Sequence, residues 1–391
     1  MTFNFDEIIS RENTDCLKFD GRQERFGNPH VQPLWVADMD FRTPPCVTEV
    51  FHRIVDHGIY GYQLKTDKYY KAIIDWFQSR HHYTPDAGNI FFTPGVVAAI
   101  SYLIQSLTNV NDKILVQTPV YYPFFLVTTQ NQRQLLINQL VEKNNEYTID
   151  FEDFELKARD AKMFILCSPH NPVGRVWKRE ELDRMANICV RNNVLIVADE
   201  IHSDLVFAPH KHIALASLSE EIDNNTITCH APSKTFNLAG LSTAYFFVKN
   251  QQLKSKIHKY LSNLHVDGLN PFGMEGMLSA YTDGSPWLRA LMDYLKLNYE
   301  TVQDYFKKEL PMLKLSPLEA TYLVWIDFRK LGLNDEELRN FVIDKAGLGL
   351  NNGPVFGLGG SGYQRMNIAC PRNELIKALD KLRNAVQERI I

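Results

Sequence analysis

The sequence predicts an α/β fold: a large, doubly wound domain with a mostly parallel (mixed) sheet, and a smaller α+β domain. Between about residues 89 and 250, short apolar runs rich in β-branched residues alternate with amphipathic helical stretches. Strands that are apolar along their whole length and are separated by helices are typical of a parallel sheet buried on both faces. After about residue 287 the order changes to a long helix, two strands with a helix between them, and a last helix.

The predicted strands of the large domain are separated by turns and by helical stretches such as VVAAISYLIQSL (96–107) and KREELDRMANICVRNN (178–193). In chain order the strands lie within residues 89–95, 113–119, 162–169, 194–201, 225–234 and 242–250. In such a sheet, ligands bind at the carboxyl ends of the strands. The polar residues that follow each apolar run are therefore the first candidates for a functional site.

The smaller domain is predicted from the C-terminal part of the chain. A helical pattern from Trp287 to Leu310 ends before Pro311, because proline cannot continue a helix. The strand TYLVWIDFR, the helix NDEELRNFVIDKAG, a Gly-rich loop, the strand YQRMNIACP and a last helix follow. We expect a large domain over residues 46–286 and a small domain formed by residues 1–45 together with residues 287–391.

The composition excludes several classes of protein. A net charge of −4 argues against a broad nucleic-acid surface, which needs clustered lysine and arginine. No stretch approaches the roughly 18–20 apolar residues that span a bilayer, and the N-terminal residues carry acids where a secretory leader would carry bases. The six cysteines are scattered, without a C-x-x-C pair, as expected for reduced thiols in a cytoplasmic protein.

Four features at predicted strand ends are candidates for chemistry. The amides of Val96 and Val97 follow the turn FFTPG and would open a helix, where free N–H groups and the helix dipole bind phosphate. A plain strand-to-helix turn explains the same pattern. Asn171 lies in the Pro-broken loop CSPHNPVG.

Asp199 ends the apolar run VLIVAD, where an ionised carboxylate is costly unless it has a cationic partner. A helix N-cap or an internal ion pair would also explain it. Lys234, in CHAPSKTFNLAG, has no charged neighbour for several residues on either side. A desolvated lysine has a lowered pKa and can act as a nucleophile or a base, although a lysine that extends to solvent is the simpler interpretation.

Taken together, these features match what pyridoxal 5′-phosphate (PLP) requires. The aldehyde of PLP needs a lysine, its pyridinium nitrogen needs a carboxylate, its phenolate oxygen needs hydrogen-bond donors, and its phosphate needs amides. Its ring needs a flat neighbour, which Tyr121 in TPVYYPF could supply.

The segments PHNPVG, VADEIH and SKTFNLAG resemble the asparagine, aspartate and lysine motifs of fold-type-I PLP enzymes of the class I/II aminotransferase superfamily. The similarity runs over nearly the whole chain. PLWVADMDFRTPP, DEIH and RMNIACPR resemble more narrowly the cystathionine β-lyase branch (the MalY/PatB type).

The resemblance implies a role for each matching residue. Lys234 would attach PLP covalently and later move the Cα proton, and Asp199 would pair with the pyridinium nitrogen. Tyr121 would stack on the ring. Asn171 would donate to the phenolate oxygen, with His202 nearby where many relatives have a tyrosine.

The remaining implied roles concern the phosphate and the substrate. The amides of Val96 and Val97 and the Ser233 hydroxyl would hold the phosphate, and Tyr62 would reach the phosphate of a neighbouring subunit, which implies a homodimer with shared active sites. A small-molecule amino acid would bind through its α-carboxylate to Arg365 as a bidentate fork. The backbone around Val36 and Ala37 would assist.

Two positions depart from the pattern of typical transaminases. Those relatives have a hydroxyl residue three positions before the lysine and an arginine eight positions after it, whereas this chain has Ala231 and Ser242. This absence favours the lyase branch. The predicted activity is a carbon–sulfur β-lyase that converts cystathionine or another S-substituted L-cysteine to thiol, pyruvate and ammonia. The alternatives are a class I/II aminotransferase and a regulatory protein of the same fold without turnover.

Three other patterns are interpreted as structural. GLGGSG (357–362) matches G-x-G-x-x-G but neither follows a buried strand nor opens a helix, so we interpret it as a loop that leads into the Arg365 strand. His202, His210 and His212 have no compact metal-ligand spacing, and no metal is predicted. RHHY (80–83) is expected to be a solvated helix end.

Overall fold

The structure is a computed structural model that describes residues 3–266 and 270–390. The strands in chain order are β1 (Gln32–Pro33), β2 (Ile90–Thr93), β3 (Lys113–Thr118), β4 (Gln134–Gln139), β5 (Val141–Lys143), β6 (Glu146–Thr148), β7 (Met163–Cys167), β8 (Leu195–Asp199), β9 (Thr226–His230), β10 (Ala244–Val248), β11 (Lys314–Leu315), β12 (Leu323–Asp327), β13 (Leu348–Gly349), β14 (Asn351–Asn352) and β15 (Tyr363–Asn367).

The α-helices are α1 (Arg22–Phe26), α2 (Pro45–His57), α3 (Asp67–His81), α4 (Val96–Leu107), α5 (Pro123–Gln130), α6 (Phe151–Ala158), α7 (Arg179–Arg191), α8 (Glu220–Asn224), α9 (Pro232–Thr235), α10 (Gln251–Leu264), α11 (Pro271–Asp283), α12 (Ser285–Glu309), α13 (Asp335–Asn340) and α14 (Arg372–Ile390). A π-helical turn, Phe341–Lys345, continues α13. In the part of the chain that is described, no helix is both long and apolar enough to cross a bilayer.

The large sheet has seven strands in the order β2-β10-β9-β8-β7-β3-β4. The strand β10 runs antiparallel to β2 and β9, and the other pairs are parallel. Strands such as β7 (MFILC) are buried at every residue, because helices cover both faces of the sheet. The predicted mixed α/β fold is therefore confirmed.

The sequence did not indicate the strand β4. It pairs in parallel with β3 at the edge of the sheet. Its residues, QLLINQ, are polar at both ends, and only Asn138 is fully buried. An edge strand covered on one side alone does not need the continuous apolar run that marks the central strands.

The second sheet has four antiparallel strands in the order β11-β12-β15-β14. The N-terminal segment reaches this part of the molecule, since β1 pairs in parallel with β13. One apolar cluster nevertheless extends from Phe5 through Ile73 and Phe92 to Leu382, so the two sheets share buried surface. The domain boundaries at residues 46 and 286 stay a prediction.

Candidate active site

A cavity lies at the edge of the large sheet where β7, β8 and β9 end and where β2 is followed by α4. Most of the residues predicted for the site line this cavity: Ala37, Val96, Val97, Tyr121, Asn171, Asp199, His202, Ser233 and Lys234. They come together because the carboxyl ends of parallel strands meet at one edge of a sheet. Arg365, Val36 and Tyr62 are not among the lining residues.

Lys234 lies on α9, a single helical turn that begins with Pro232 directly after β9. Its amine donates a hydrogen bond to the backbone carbonyl oxygen of Ala37 at 2.7 Å. Burial lowers the pKa of Lys234 to about 8, although the negative charges of Asp38 and Asp199 oppose this shift. A substantial fraction of the amine is therefore neutral near pH 8, which is the form that reacts as a nucleophile or a base.

Asp199 is the last residue of β8 and is buried. Burial raises the pKa of its carboxyl group to about 7, and the hydrogen bond from the amide of Ile201, at 3.1 Å, partly offsets this effect. Within residues 3–266 and 270–390, no lysine, arginine or histidine forms an ion pair with it. A cationic nitrogen of a ligand would supply the missing partner.

The N-terminus of α4 supplies donors at the same cavity. Its first hydrogen bond runs from the amide of Ala99 to the carbonyl of Gly95, and within the described part of the chain no side chain caps the helix. The amides of Val96 and Val97 precede that bond and are free to bind an anion.

Ser233 and Thr243 also line this cavity, and the Thr243 hydroxyl donates a hydrogen bond to the Leu241 carbonyl at 3.1 Å. Thr243 was missed from the sequence. It directly precedes β10, and since β10 is antiparallel, its first residues lie at the edge where the neighbouring strands end. Ala231 also lines the cavity, whereas Ser242 is exposed.

Asn171 and His202 provide further polar groups. The side-chain oxygen of Asn171 accepts a hydrogen bond from Arg365 at 2.9 Å, which leaves its NH₂ group to donate to a ligand. His202 is buried, and burial lowers its pKa well below the usual value, so the imidazole is neutral. Its Nδ1 atom has no hydrogen-bond partner within the described chain.

Arg365 lies on β15, just behind the lining residues. It is 3% exposed, and besides Asn171 it donates to the Trp35 carbonyl at 3.0 Å and to Asn351 Oδ1 at 2.6 Å. Its guanidinium group packs over the Phe356 ring. Burial lowers the pKa of Arg365 to about 10, so it remains cationic at neutral pH.

A buried arginine of this kind is expected to have an acidic partner. No carboxylate pairs with Arg365 among the described residues, and its Nε atom has no hydrogen-bond partner there. The site is therefore suited to a carboxylate that arrives with a ligand. Of the two backbone positions predicted beside it, Ala37 lines the cavity, while the carbonyl of Val36 accepts a hydrogen bond from Asn367.

Tyr62 does not line the cavity of its own chain. Its side chain is fully exposed, and it lies in the segment that connects α2 and α3. The predicted contact of Tyr62 with a neighbouring subunit stays a prediction.

The prediction for RHHY (80–83) is wrong. His81 is 6% exposed and donates to the buried carboxylate of Asp204 at 3.0 Å, and Arg80 donates to the same carboxylate. Of the two histidines only His82, which ends α3 in the left-handed conformation, is exposed. Asp204 is 123 positions away from His81. Sequence alone therefore could not identify it as the hydrogen-bond partner that accounts for the burial of this helix end.

The three histidines considered for a metal lie in different surroundings. His202 lines the cavity, His210 lies 3.9 Å from Glu319, and His212 contacts Glu200 at 3.0 Å. The GLGGSG segment leads into β15, as expected for a loop rather than a dinucleotide site.

These residues fit PLP. The cavity combines a lysine with a lowered pKa, a buried carboxylate that forms no ion pair with a described residue, and the amides of a helix N-terminus. The Nδ1 atom of His202 adds a buried polar atom that no described residue hydrogen-bonds. No single simple ion would use all four groups, whereas an aromatic cofactor with an aldehyde, a ring nitrogen, a hydroxyl and a phosphate would.

Comparisons with known proteins agree with this geometry. The aminotransferase class I and II family matches residues 30–382. "Cystathionine beta-lyase PatB" of Bacillus subtilis (strain 168) is 40% identical over 385 residues, which cover 98% of this chain and 100% of that protein.

Two solved structures are also similar. The PLP-bound putative aminotransferase from Clostridium difficile 630 has a TM-score of 0.97 and 42% identity, covering 98% of this chain and 100% of that one. The PLP-bound C-S lyase from Staphylococcus hominis has a TM-score of 0.92 and 32% identity, covering 98% of each chain.

Proposed function

The chain belongs to the aminotransferase class I and II family, and from that premise we propose that it is a PLP-dependent carbon–sulfur β-lyase. Its substrates are cystathionine or other S-substituted L-cysteines, and its products are a thiol, pyruvate and ammonia. The observation that carries the proposal is that one cavity contains both the Lys234 amine, whose pKa is lowered, and the buried carboxyl group of Asp199, which has no ion-pair partner among the described residues. The full-length similarity to a cystathionine β-lyase and to a C-S lyase favours elimination over transamination.

Different residues would bind different parts of PLP. Asp199 would bind the ring nitrogen and keep it protonated, and Tyr121 would lie against the ring. The Asn171 NH₂ group would donate a hydrogen bond to the phenolate oxygen, with His202 nearby. The phosphate would be held by the α4 amides at Val96 and Val97 and by the Ser233 hydroxyl. When bound, PLP supplies the electron-withdrawing system that makes the Cα–H bond of an amino acid acidic.

The chain itself supplies the proton transfer and the orientation of the substrate. Arg365 binds the α-carboxylate, aided by the backbone at Val36 and Ala37, and this contact fixes the Cα–H bond relative to Lys234. The neutral amine of Lys234 accepts the Cα proton. Loss of that proton allows the Cβ–S bond to break and the thiolate to leave.

We propose that the enzyme is a homodimer in which Tyr62 of each subunit reaches the site of the other. Apolar side chains are exposed from the last turn of α2 to the start of α3, at Val55, Ile59, Tyr60, Tyr62 and Leu64. A contiguous exposed apolar surface of this kind marks an interaction site, and a second copy of the chain would cover it. We also propose a cytoplasmic location, because the six cysteines are all free thiols.

A substrate panel tests the activity. The PLP-loaded enzyme is incubated with cystathionine, cysteine and S-alkyl cysteines, without a keto acid, and pyruvate and thiol are measured together. Equal amounts of both products are expected. If keto product forms only after a keto acid is added, and the bound cofactor is converted to its amine form, the enzyme is an aminotransferase and the proposal is wrong. If the loaded chain binds amino acids but forms neither product, the fold serves a regulatory role without turnover.

A further inference from the structure

A second buried polar cluster lies beside the cavity and is centred on Asp204. The Asp204 carboxylate accepts hydrogen bonds from Trp76 Nε1 at 3.1 Å, Arg80 Nε at 3.0 Å and His81 Nε2 at 3.0 Å, all from α3. It also accepts one from the Thr235 hydroxyl of α9 at 2.8 Å. The side chain of Asp204 is fully buried, and its four donors come from two elements far apart in sequence.

The hydrogen bonds of this cluster connect α3 to α9, and they leave no room for a metal ion at Asp204. His81, Asp204 and His230 have potential ligand atoms within 4.8 Å of one another. Both oxygens of Asp204, however, already accept from N–H or O–H groups, one of which belongs to the guanidinium group of Arg80. A divalent cation would have to displace these donors next to a positive charge, which Coulomb repulsion disfavours.

The position of Thr235 connects this anchor to catalysis. Thr235 directly follows Lys234, and α9 is a single turn. Its carbonyls accept backbone hydrogen bonds from the Phe236 amide, at Pro232 and 2.9 Å, and from the Leu238 amide, at Ser233 and 3.0 Å. No side chain of the described residues caps this turn. A turn so short has little stability of its own, so contacts of its side chains decide where Lys234 is held.

The same cluster also holds the chain on the other side of Lys234. His230 ends β9, and its Nε2 atom lies 3.0 Å from the Ser203 hydroxyl and 3.7 Å from Asp204 Oδ2. The loop 203–204 therefore contacts the chain on both sides of residues 231–234, at His230 and at Thr235. That loop also follows His202, which lines the cavity, so one cluster fixes two walls of the site relative to each other.

We propose that Asp204 is a positioning residue, which acts through Thr235 to fix the turn that carries Lys234 and thereby sets the place of its amine in the cavity. This inference rests on the proposed function of Lys234. The Thr235 hydroxyl, rather than the size of its side chain, is the group that transmits the restraint.

The test compares three single variants of the full-length chain. Thr235→Val removes the hydroxyl without changing the shape of the side chain, and Thr235→Ser keeps the hydroxyl. Thr226→Val is the matched control, because Thr226 is equally buried and its hydroxyl donates to the Ile222 carbonyl at 2.7 Å, at the opposite end of β9. Each variant is freed of PLP and mixed with PLP, and the pyridoxyl group fixed on Lys234 by borohydride is measured over time by mass spectrometry. The melting temperature and, for the loaded enzyme, kcat and KM are also measured.

Thr235→Val is expected to slow covalent capture and to lower kcat, each by about tenfold, because a small displacement of a reacting group costs that much or more. KM is expected to change less than about twofold, since the contacts of Arg365 are untouched. Thr235→Ser is expected to restore both rates. Thr226→Val is expected to lower the melting temperature as much as Thr235→Val while it leaves the capture rate and kcat unchanged.

The inference is overturned if Thr235→Val captures PLP and turns over substrate at wild-type rates, whatever its melting temperature. It is also overturned if the serine and valine variants behave alike. Failure of the wild-type chain to capture PLP on Lys234 would instead overturn the proposed function, so the two failures are distinguishable. Asp204→Asn is a fourth variant, and its capture rate is expected to fall at least as far as that of Thr235→Val; a wild-type capture rate in Asp204→Asn would also overturn the inference.

Discussion

The amine of Lys234 donates a hydrogen bond to the backbone carbonyl oxygen of Ala37 at 2.7 Å, although 197 positions separate the two residues. The buried hydroxyl of Tyr322 donates to the same oxygen at 2.9 Å. Two donors occupy both lone pairs of that carbonyl oxygen, which fixes the N-terminal segment beside the reactive amine. The active site is therefore assembled from the N-terminal segment as well as from the large sheet.

Replacement of Lys234 by alanine is expected to abolish covalent attachment of PLP and to lower turnover by at least about a thousandfold, since both the attachment point and the base are lost. The absorption spectrum of the protein mixed with PLP and the rate of pyruvate formation measure the two effects. Lys256→Ala, at an exposed position of α10, is the control and is expected to match the wild type. Turnover that survives in Lys234→Ala would contradict the assignment.

The rate at which the PLP-free chain captures PLP is expected to depend on pH through Lys234. The neutral amine is the nucleophile, and it predominates above a pKa of about 8. The rate should therefore rise roughly tenfold between about pH 7 and about pH 9 and then level off. Borohydride trapping at a series of pH values measures it. A rate that keeps rising beyond about pH 10 would mean that the lysine has its ordinary pKa.

Asp199→Asn is expected to lower activity and yet to stabilise the PLP-free chain. Burial raises the pKa of Asp199 from 3.8 to about 7. Its carboxyl group therefore contributes stability below pH 3.8, and that contribution is lost as pH rises through about 7. The neutral asparagine avoids this loss, so its advantage should grow between pH 4 and 7 to roughly 1–3 kcal/mol. Urea unfolding of both PLP-free proteins at two pH values measures the difference, and a difference independent of pH would count against the buried, unpaired carboxylate.

Arg365→Lys is expected to raise KM for the amino acid about 10- to 100-fold, because hydrogen bonds between charged groups contribute roughly 1.5–3 kcal/mol and lysine cannot form the bidentate contact. Initial rates over a range of substrate concentrations measure KM. Arg175→Lys is the matched control: Arg175 is also largely buried but pairs with Glu181 at 2.9 Å. It is expected to lower the melting temperature without raising KM. An unchanged KM in Arg365→Lys would exclude Arg365 as the carboxylate site.

Mixed dimers test whether Tyr62 serves the neighbouring subunit. Tyr62→Ala and Lys234→Ala are each expected to have low activity, since one site component is missing in both sites. When the two proteins are unfolded and refolded together, half of the dimers are mixed, and each mixed dimer contains one complete site. Activity is then expected to recover to about a quarter of the wild-type value. Mixing that restores no activity would show that Tyr62 acts within its own chain or not at all.

The sequence predicted the large fold well because most strands of the sheet are buried on both faces and are therefore apolar throughout, as in MFILC and AYFFV. It failed at β4, where an edge position relaxes this requirement. It also predicted the helix N-terminus at Val96 and Val97, since a helix that begins directly after a strand exposes its first amides wherever it lies, and the role of these amides in phosphate binding stays a prediction.

The sequence by itself determined which chemical groups stand at the strand ends: the isolated Lys234, the buried Asp199 and the Asn171 loop. Only the tertiary structure decided which distant groups meet them. Three such contacts join segments that are far apart in the chain. The Ala37 carbonyl accepts a hydrogen bond from Lys234, and Thr243 lines the cavity at the start of an antiparallel strand. The Asp204 carboxylate accepts hydrogen bonds from α3. Local patterns report burial and turns, whereas such contacts depend on how the sheets and helices pack together. The sequence therefore identified Lys234 as the reactive residue, whereas the tertiary structure determined which groups surround its amine.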